Sequence, residues 1–372
     1  MAPRFLLDKT YFDPLSEGEN VLPNHHAYSF CNALSSAMQA HLSMGSEKHL
    51  RAATNAHEMI MTTQSYATGG WGPDESFKAP NTGALYASLT NTRHSFETPC
   101  GSYAHFKLTR YLLRVTRDGK YGDSMERVLY NTVLGAKTLE KDGHAFYYSD
   151  YSNTGSKFYF DDKWPCCAGT LPQVAADYHI LGYFHDSDGV YVNLYIPSTL
   201  KWTAENGAHM ALTQSGGYPL DGRIGMVVKA SKAANLALRL RIPAWASQGG
   251  GSAEIKVNGL PVQAPVDKGF ATLRRRWKDG DRVELTLPMP MRLEAIDGAG
   301  TKNPDTVALV RGPLVLFALT EDAPKVSREQ LLAAAPMKGQ PVWKADTGSG
   351  PLLLTPFTEI QEERYRTYLT VS

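Results

Sequence analysis

Apolar residues recur at helical spacing through the first half of this chain and alternate with polar ones through the second. Between residues 26 and 44, Phe30, Leu34, Ala37, Met38 and Leu42 share one helix face, and Gly45-Ser46 reads as a stop followed by a new N-cap. The same spacing predicts helices over 47–63 (Leu50, Ala53, His57, Ile60), 101–116 (Ala104, Leu108, Tyr111, Leu112, Val115) and 123–136 (Met125, Val128, Leu129, Thr132, Val133). A fifth is expected to start near Pro172, capped by Thr170, with Val174, Ala175, Tyr178 and Leu181 inward. Near Asp188 the period becomes two: Val190, Val192, Leu194 and Ile196 alternate with Tyr191, Asn193 and Tyr195. Further strands are expected over 225–229, 236–242, 253–257, 270–274, 282–287 and 307–319, with turns at Asn258-Gly259 and Arg311-Gly312-Pro313. No fixed-period repeat is present. The pattern predicts an α+β multidomain chain: an α/α array over 1–187, then an antiparallel β-sandwich over 188–320. Residues 321–372 read as an irregular connection rich in Ala, Pro and Gly, with 357–371 returning to pack on a sheet or on the helices.

Composition narrows the function classes. Hydrophobic residues make up 42% and charged residues 20% of the 372, which is ordinary globular usage and disfavours wholesale disorder. A formal charge of +1 without a long basic run gives no nucleic-acid or anionic-membrane footprint. The longest apolar stretch, 306–319, is broken by Arg311 and Gly312 and is too short to span a bilayer. Residues 1–14 lack the apolar core of a secretory signal. A soluble protein with a neutral partner is the expectation.

Four cysteines are no disulfide scaffold in a chain of this size. Cys166 and Cys167 are adjacent, and a bridge between neighbours is strained. They precede the fifth predicted helix, while Cys100 follows Glu97 ahead of the third; a helix N-terminus favours thiolate over thiol. Glu97, Cys100, Cys166 and Cys167 would make a tetrahedral set suited to zinc. No CxxC pair is present, and buried free cysteines with an exposed glutamate remain the other reading. The turn over 66–77 holds Trp71 beside Asp74 and Glu75 without phosphate-loop spacing. It fits either a cleft where an aromatic face meets a sugar and a carboxyl group handles protons, or a surface turn with solvated acids. Neither H-E-x-x-H nor G-x-S-x-G occurs, which disfavours a zincin or an α/β-hydrolase. Among the histidines, His26, ahead of the first helix, is the one placed to line a site.

Taken together, segments 12–23, 68–75, 97–100, 126–131 and the Cys166-Cys167 pair, with 240–245 and 310–314 in the sandwich half, resemble glycoside hydrolase family 127, the β-L-arabinofuranosidases. The resemblance implies part of an (α/α)6 catalytic barrel followed by a β-sandwich. It also implies a retaining exo-glycosidase that releases a terminal furanosyl sugar. On this resemblance zinc is held by Glu97, Cys100, Cys166 and Cys167, and Cys166 is the nucleophile. The resemblance likewise implies that Glu75 would be the acid/base, in a two-step retaining scheme with a thiolate replacing a carboxylate. The same resemblance implies that His26 and Tyr148 would contact sugar hydroxyls; Trp71, in the glycine-rich turn, is the further substrate-binding candidate.

The chain departs from the family pattern at Pro99, inserted between Thr98 and Cys100, and at Ala168-Gly169-Thr170, where a proline-rich turn is usual. It also supplies only the later barrel helices, as expected of the C-terminal part of a family member. Self-association, or association with an N-terminal half, would then cover the exposed apolar faces. An oligosaccharide or glycan is the expected partner, with no nucleic acid and no membrane. The alternatives are a different sugar specificity, or an inactive or carbohydrate-binding remnant with structural zinc. Thiolate-bound zinc favours the cytoplasm, with a periplasmic or secreted location if a signal was lost.

Overall fold

The computed structural model describes residues 6–298 and 301–372, so residues 1–5 of the predicted helical region and 299–300 of the predicted sandwich lie outside the described residues. The chain forms two compact units. One comprises residues up to Leu112 with Arg127–Asp177 and Met291–Ser372; the other comprises Leu113–Glu126 and Tyr178–Pro290.

In the first unit, helices Ala27–Met44 and Glu47–Thr63 form an antiparallel pair joined by the left-handed Gly45. Phe30, Leu34, Ala37 and Met38 of the first are buried, as are Ala52, Ala53, Ala56 and Ile60 of the second. Helices Ala84–Asn91, which the sequence pattern did not predict, and Thr98–Thr116, as far as Leu112, follow in this unit; of helix Lys120–Asn131 only the part from Arg127 belongs to it. The last long helix is Cys166–Leu181, six residues ahead of the expected start at Pro172. Proline has no N–H to donate and its ring crowds the preceding turn. Burial of Cys167 and Val174, on either side of it, holds the helix through that position.

The unit's seven-stranded sheet runs Met291–Ala295, Thr306–Arg311, Leu314–Ala318, Gly350–Pro356, Trp343–Thr347 and Ala335–Pro336, with Leu369–Thr370 added on Thr306–Arg311. The stretch expected to be irregular is therefore ordered. Ser327 and Gln330 make a reciprocal capping box at helix Arg328–Leu332, and Trp343 and Ala345 are buried while Lys344 and Asp346 point outward. The predicted Arg311-Gly312-Pro313 turn is present, and the buried Asn131 side chain satisfies it by donating to Pro313 O (2.9 Å) and accepting from Val315 N (2.8 Å).

The second unit is a β-sandwich. One sheet has the order Leu260–Pro261, Glu254–Val257, Arg282–Thr286, Arg223–Ala230, His209–Gly216, Ser198–Thr203; the other runs Val266–Asp267, Phe270–Trp277, Ala234–Arg241, Gly189–Val192, Tyr183–Asp186. All pairs are antiparallel except Gly189–Val192 on Ala234–Arg241. Ile224, Met226 and Val228 point inward at period two. Arg241 is fully buried in this unit. Its guanidinium reaches Asp123 Oδ1 (2.5 Å), Glu126 Oε1 (2.7 Å) and the Asn193 carbonyl (2.5 Å). Glu126 also accepts from Tyr218 Oη (2.5 Å) and Trp245 Nε1 (3.3 Å), and Asp123 Oδ2 accepts from Ala244 N (2.9 Å). No helix among the described residues is long and apolar enough to cross a membrane.

Candidate active site

Two short strands, Phe96–Glu97 and Tyr148–Ser149, pair so that Glu97 lies opposite Tyr148. Thr98 locks the register: its backbone N–H donates to the Tyr147 carbonyl (2.8 Å) and its hydroxyl meets Ser149 Oγ (2.7 Å). Helix Thr98–Thr116 starts at once, with Pro99 in the first turn, where its missing N–H leaves nothing unpaired. Cys100, in the first turn of this helix, is thereby brought beside Glu97 at the end of the strand. Phe96 fits beneath because Gly70 and Gly101 carry no side chain: a Cβ at Gly70 would lie 2.8 Å, and at Gly101 2.5 Å, from its ring.

Cys166 and Cys167 open their helix and meet this group. Cys100 Sγ lies 3.5 Å from both Cys166 Sγ and Cys167 Sγ, and Glu97 Oε1 lies 3.7 and 3.8 Å from them. The donor atoms of all four residues fall within 4.8 Å of one another. All four cysteines of the chain are free thiols, and of the four ligand candidates only Cys166 is exposed. Burial, with the nearby Glu75 charge adding, pushes the Glu97 carboxyl up to about 8. The hydrogen bond with Cys167, helped by Tyr147 and Cys100, holds the Cys166 thiol down to about 5. Burial drives Cys167 the opposite way.

This donor set fits a soft, tetrahedral dication. Three sulfurs and a carboxylate suit zinc, and Glu97 Oε2 is buried without a hydrogen-bond partner, an arrangement that is costly unless something compensates it.

Glu75 faces this cluster from the turn Pro73–Glu75. Glu75, Glu97 and His26 have ligand atoms within 4.8 Å of one another. Both Asp74 (φ 52°) and Glu75 (φ 56°) are left-handed, which costs of order 1–3 kcal/mol per non-glycine residue. Gly72 (φ 74°) precedes them where a Cβ would lie 2.4 Å from Ala27 Cβ, which lets the turn press against the start of helix Ala27–Met44. His26 is that helix's N-cap: Nδ1 accepts from Ser29 N (3.4 Å), which leaves the proton on Nε2 to donate to Glu75 Oε2 (3.0 Å). Tyr148 Oη donates to Glu75 Oε1 (2.5 Å), and burial together with the Glu75 carboxylate keeps that phenol protonated. His26, Tyr148, Glu75, Glu97, Cys100, Cys166 and Cys167 are thus gathered in one place.

Trp71 does not join them. It is 1% exposed, packed against Phe77 and Phe96, and offers no face to a cleft. Tyr147, absent from the sequence reading, places its hydroxyl 3.6 Å from Cys166 Sγ. His94 stacks flat on Tyr148 with ring centres 4.1 Å apart, and Thr170, expected only as a helix cap, lies 3.1 Å from Cys100 Sγ. Only the Tyr147-Tyr148 doublet carried a signal for any of these.

Residues 2–179 match the family model of the β-L-arabinofuranosidase GH127 catalytic domain, and 189–289 match that of the GH127 middle domain. A non-reducing end β-L-arabinofuranosidase of Bifidobacterium longum subsp. longum is 27% identical over 286 residues, 71% of this chain and 41% of that protein. Among solved structures, a GH127 β-L-arabinofuranosidase from Geobacillus stearothermophilus T6 has a TM-score of 0.78 at 24% identity, covering 99% of this chain and 64% of its own. A second GH127 β-arabinofuranosidase gives 0.78 at 22% identity, with 98% and 63% covered. Both share the fold of helical barrel and β-sandwich. The chain spans about two fifths of the curated relative and under two thirds of these structures. Its helices match the catalytic domain and its sandwich the middle domain of a single family, so the chain belongs to glycoside hydrolase family 127.

Proposed function

We propose that this chain carries the catalytic centre of a retaining exo-glycosidase that removes a terminal β-L-arabinofuranosyl residue from a glycan, with Cys166 as nucleophile and Glu75 as acid/base. The supporting observation is that an exposed cysteine with a lowered thiol pKa sits in a cluster faced by an accessible carboxyl group with its own partners. Glu97, Cys100, Cys166 and Cys167 would hold zinc. Bound there, the ion supplies positive charge that keeps sulfur deprotonated at neutral pH.

In the first step the Cys166 sulfur forms a bond to the anomeric carbon as the glycosidic C–O bond breaks, and the Glu75 carboxylic acid passes its proton to the departing oxygen. In the second, the Glu75 carboxylate takes a proton from water, the water oxygen bonds to the anomeric carbon, and the C–S bond breaks. Tyr148 and His26 hold the two Glu75 oxygens, which fixes the carboxyl group before and after each transfer. The Tyr147 hydroxyl, kept protonated chiefly by burial, donates toward Cys166 and steadies the anionic sulfur.

The test is zinc content together with hydrolysis of p-nitrophenyl β-L-arabinofuranoside under a thiol reductant. Stoichiometric zinc and turnover, lost by about 10²-fold or more in each of Glu75→Gln and Cys166→Ser, are expected. Glycan binding that survives both changes in a protein with no turnover would identify a carbohydrate-binding remnant. Absence of zinc would sink the metal assignment.

A further inference from the structure

The left-handed pair Asp74-Glu75 needs something to hold it, and the short segment 92–94, braced by a hydrogen bond of its own, grips Asp74 at two points. Thr92 Oγ1 donates to Asp74 Oδ1 (2.5 Å), the His94 N–H donates to Thr92 Oγ1 (3.0 Å), and the Asp74 N–H donates to the His94 carbonyl (2.9 Å). The Thr92 hydroxyl thus gives its proton to one partner and accepts from the other, and Asp74 is gripped by side chain and backbone together. The same segment reaches Glu75 by a second route. The His94 ring lies 14° from parallel on Tyr148, the residue that donates to Glu75 Oε1.

Segment 92–94 is itself fixed. Arg93 Nε donates to the buried Asp150 carboxylate (2.9 Å), and its guanidinium lies 4.5 Å from the centre of the Phe158 ring, which packs on the Cys100, Tyr147, Tyr148 and Cys167 cluster. A strained backbone persists where its surroundings over-determine it. Here the surroundings tie the backbone and the carboxyl group of Asp74, the residue before Glu75, to one anchored segment.

We propose that Thr92, Asp74 and His94 are positioning residues for Glu75: they set the direction of its carboxyl group toward the cysteine cluster without touching substrate. The proposal rests on the acid/base reading of Glu75. Asparagine at position 74 keeps the acceptor and tolerates the left-handed region, whereas glycine tolerates the backbone but drops the clamp. Valine at position 92 removes the hydroxyl at nearly constant volume, and serine keeps it.

The experiment measures kcat and KM of Thr92→Val, Asp74→Gly, Thr92→Ser and Asp74→Asn on the aryl arabinofuranoside, with Glu75→Gln as reference, and solves the crystal structure of Thr92→Val. Loss of kcat by about 10–100-fold in Thr92→Val and Asp74→Gly at unchanged KM is expected, since a misplacement of about 1 Å costs about 10²-fold. Thr92→Ser and Asp74→Asn should restore what the other two lose, and the Thr92→Val structure should show Glu75 displaced from Tyr148 or His26. Wild-type kcat in Thr92→Val and Asp74→Gly, or a Glu75 that keeps both bonds in the variant structure, overturns the proposal. Full turnover in Glu75→Gln would instead overturn the acid/base reading, leaving the clamp to be judged by the variant structure alone.

Discussion

Arg241→Met is the most informative perturbation of the sandwich unit. Arg241 is 0% exposed, and its guanidinium neutralises two carboxylates, Asp123 and Glu126, that side by side have no other cation at bonding distance among the contacts described. Removing one partner of a buried charge cluster costs about 3–5 kcal/mol, because the remaining charges stay desolvated. The bonds Glu126 receives from Tyr218 and Trp245, and Asp123 from Ala244, recover part of that, which places the expected loss at about 3 kcal/mol.

The loss should depend on pH. Burial already raises the Asp123 carboxyl above its ordinary value, and deleting the guanidinium raises it further. A carboxyl group whose folded pKa exceeds its unfolded one binds more protons when folded, so stability falls as pH rises through that range. The variant should therefore lose more at about pH 8 than at about pH 5. Hydrogen–deuterium exchange on peptides from Leu113–Glu126 and Ala234–Arg241 reads local opening without assuming that both units melt together. A loss under about 1 kcal/mol, or one that grows toward acid pH, would refute the reasoning. So would Arg241→Met/Glu126→Gln proving as unstable as the sum of its single changes.

Metal removal gives a thiol count: chelator treatment should expose Cys166 alone to a disulfide reagent while Cys31, Cys100 and Cys167 stay buried, and should lower Tm by mass action. Several reactive thiols before chelation would contradict the metal centre. At the sandwich surface, the hydrogen bond from Arg274 holds Asp188 down to about 2, so the pair stabilises above the unfolded carboxylate range and its contribution is lost as pH falls through about 2. Thermal melts should show Arg274→Gln less stable than wild type at neutral pH, with the gap closing at about pH 2; a gap of constant size would sink this.

Much of the fold was legible where one face decides burial. Helix Glu47–Thr63 has the bounds that its apolar period predicts, and Ala27–Met44 differs by one residue because His26 is its cap rather than its first turn. Strand Ser198–Thr203 was missed although Leu200 and Trp202 alternate with exposed Thr199, Lys201 and Thr203: at a sheet edge its inward face is only half-buried, and two apolar positions make a short signal. The cysteines and Glu97 were readable because thiols beside helix starts are chemically unusual. What sequence could not show is which polar residues reach across. Thr92 meets Asp74 across 18 positions, and nothing in the local pattern sets that threonine apart from Thr90. Trp71 misled for a related reason: an aromatic residue in a glycine-rich turn looks the same whether its ring faces a cleft or Phe96.

The seat of Phe96 constrains how the active site can diversify. Its ring fills space that a Cβ at either Gly70 or Gly101 would claim, and both glycines lie in segments that carry site residues. A larger residue at either position meets the ring before any gain in new sugar contacts is realised, and a smaller residue at 96 first leaves a hollow beneath Glu97. At position 101 the nearest atoms are all in the Phe96 ring, so a paired exchange with 96 makes room there; at position 70 a Cβ would still lie 2.9 Å from both Phe96 Cβ and Tyr151 Oη, and shrinking residue 96 does not free it. A mutagenesis library aimed at new specificity should therefore vary positions 96 and 101 as one block, keep glycine at 70, and hold all three fixed while the rim of the site is randomised.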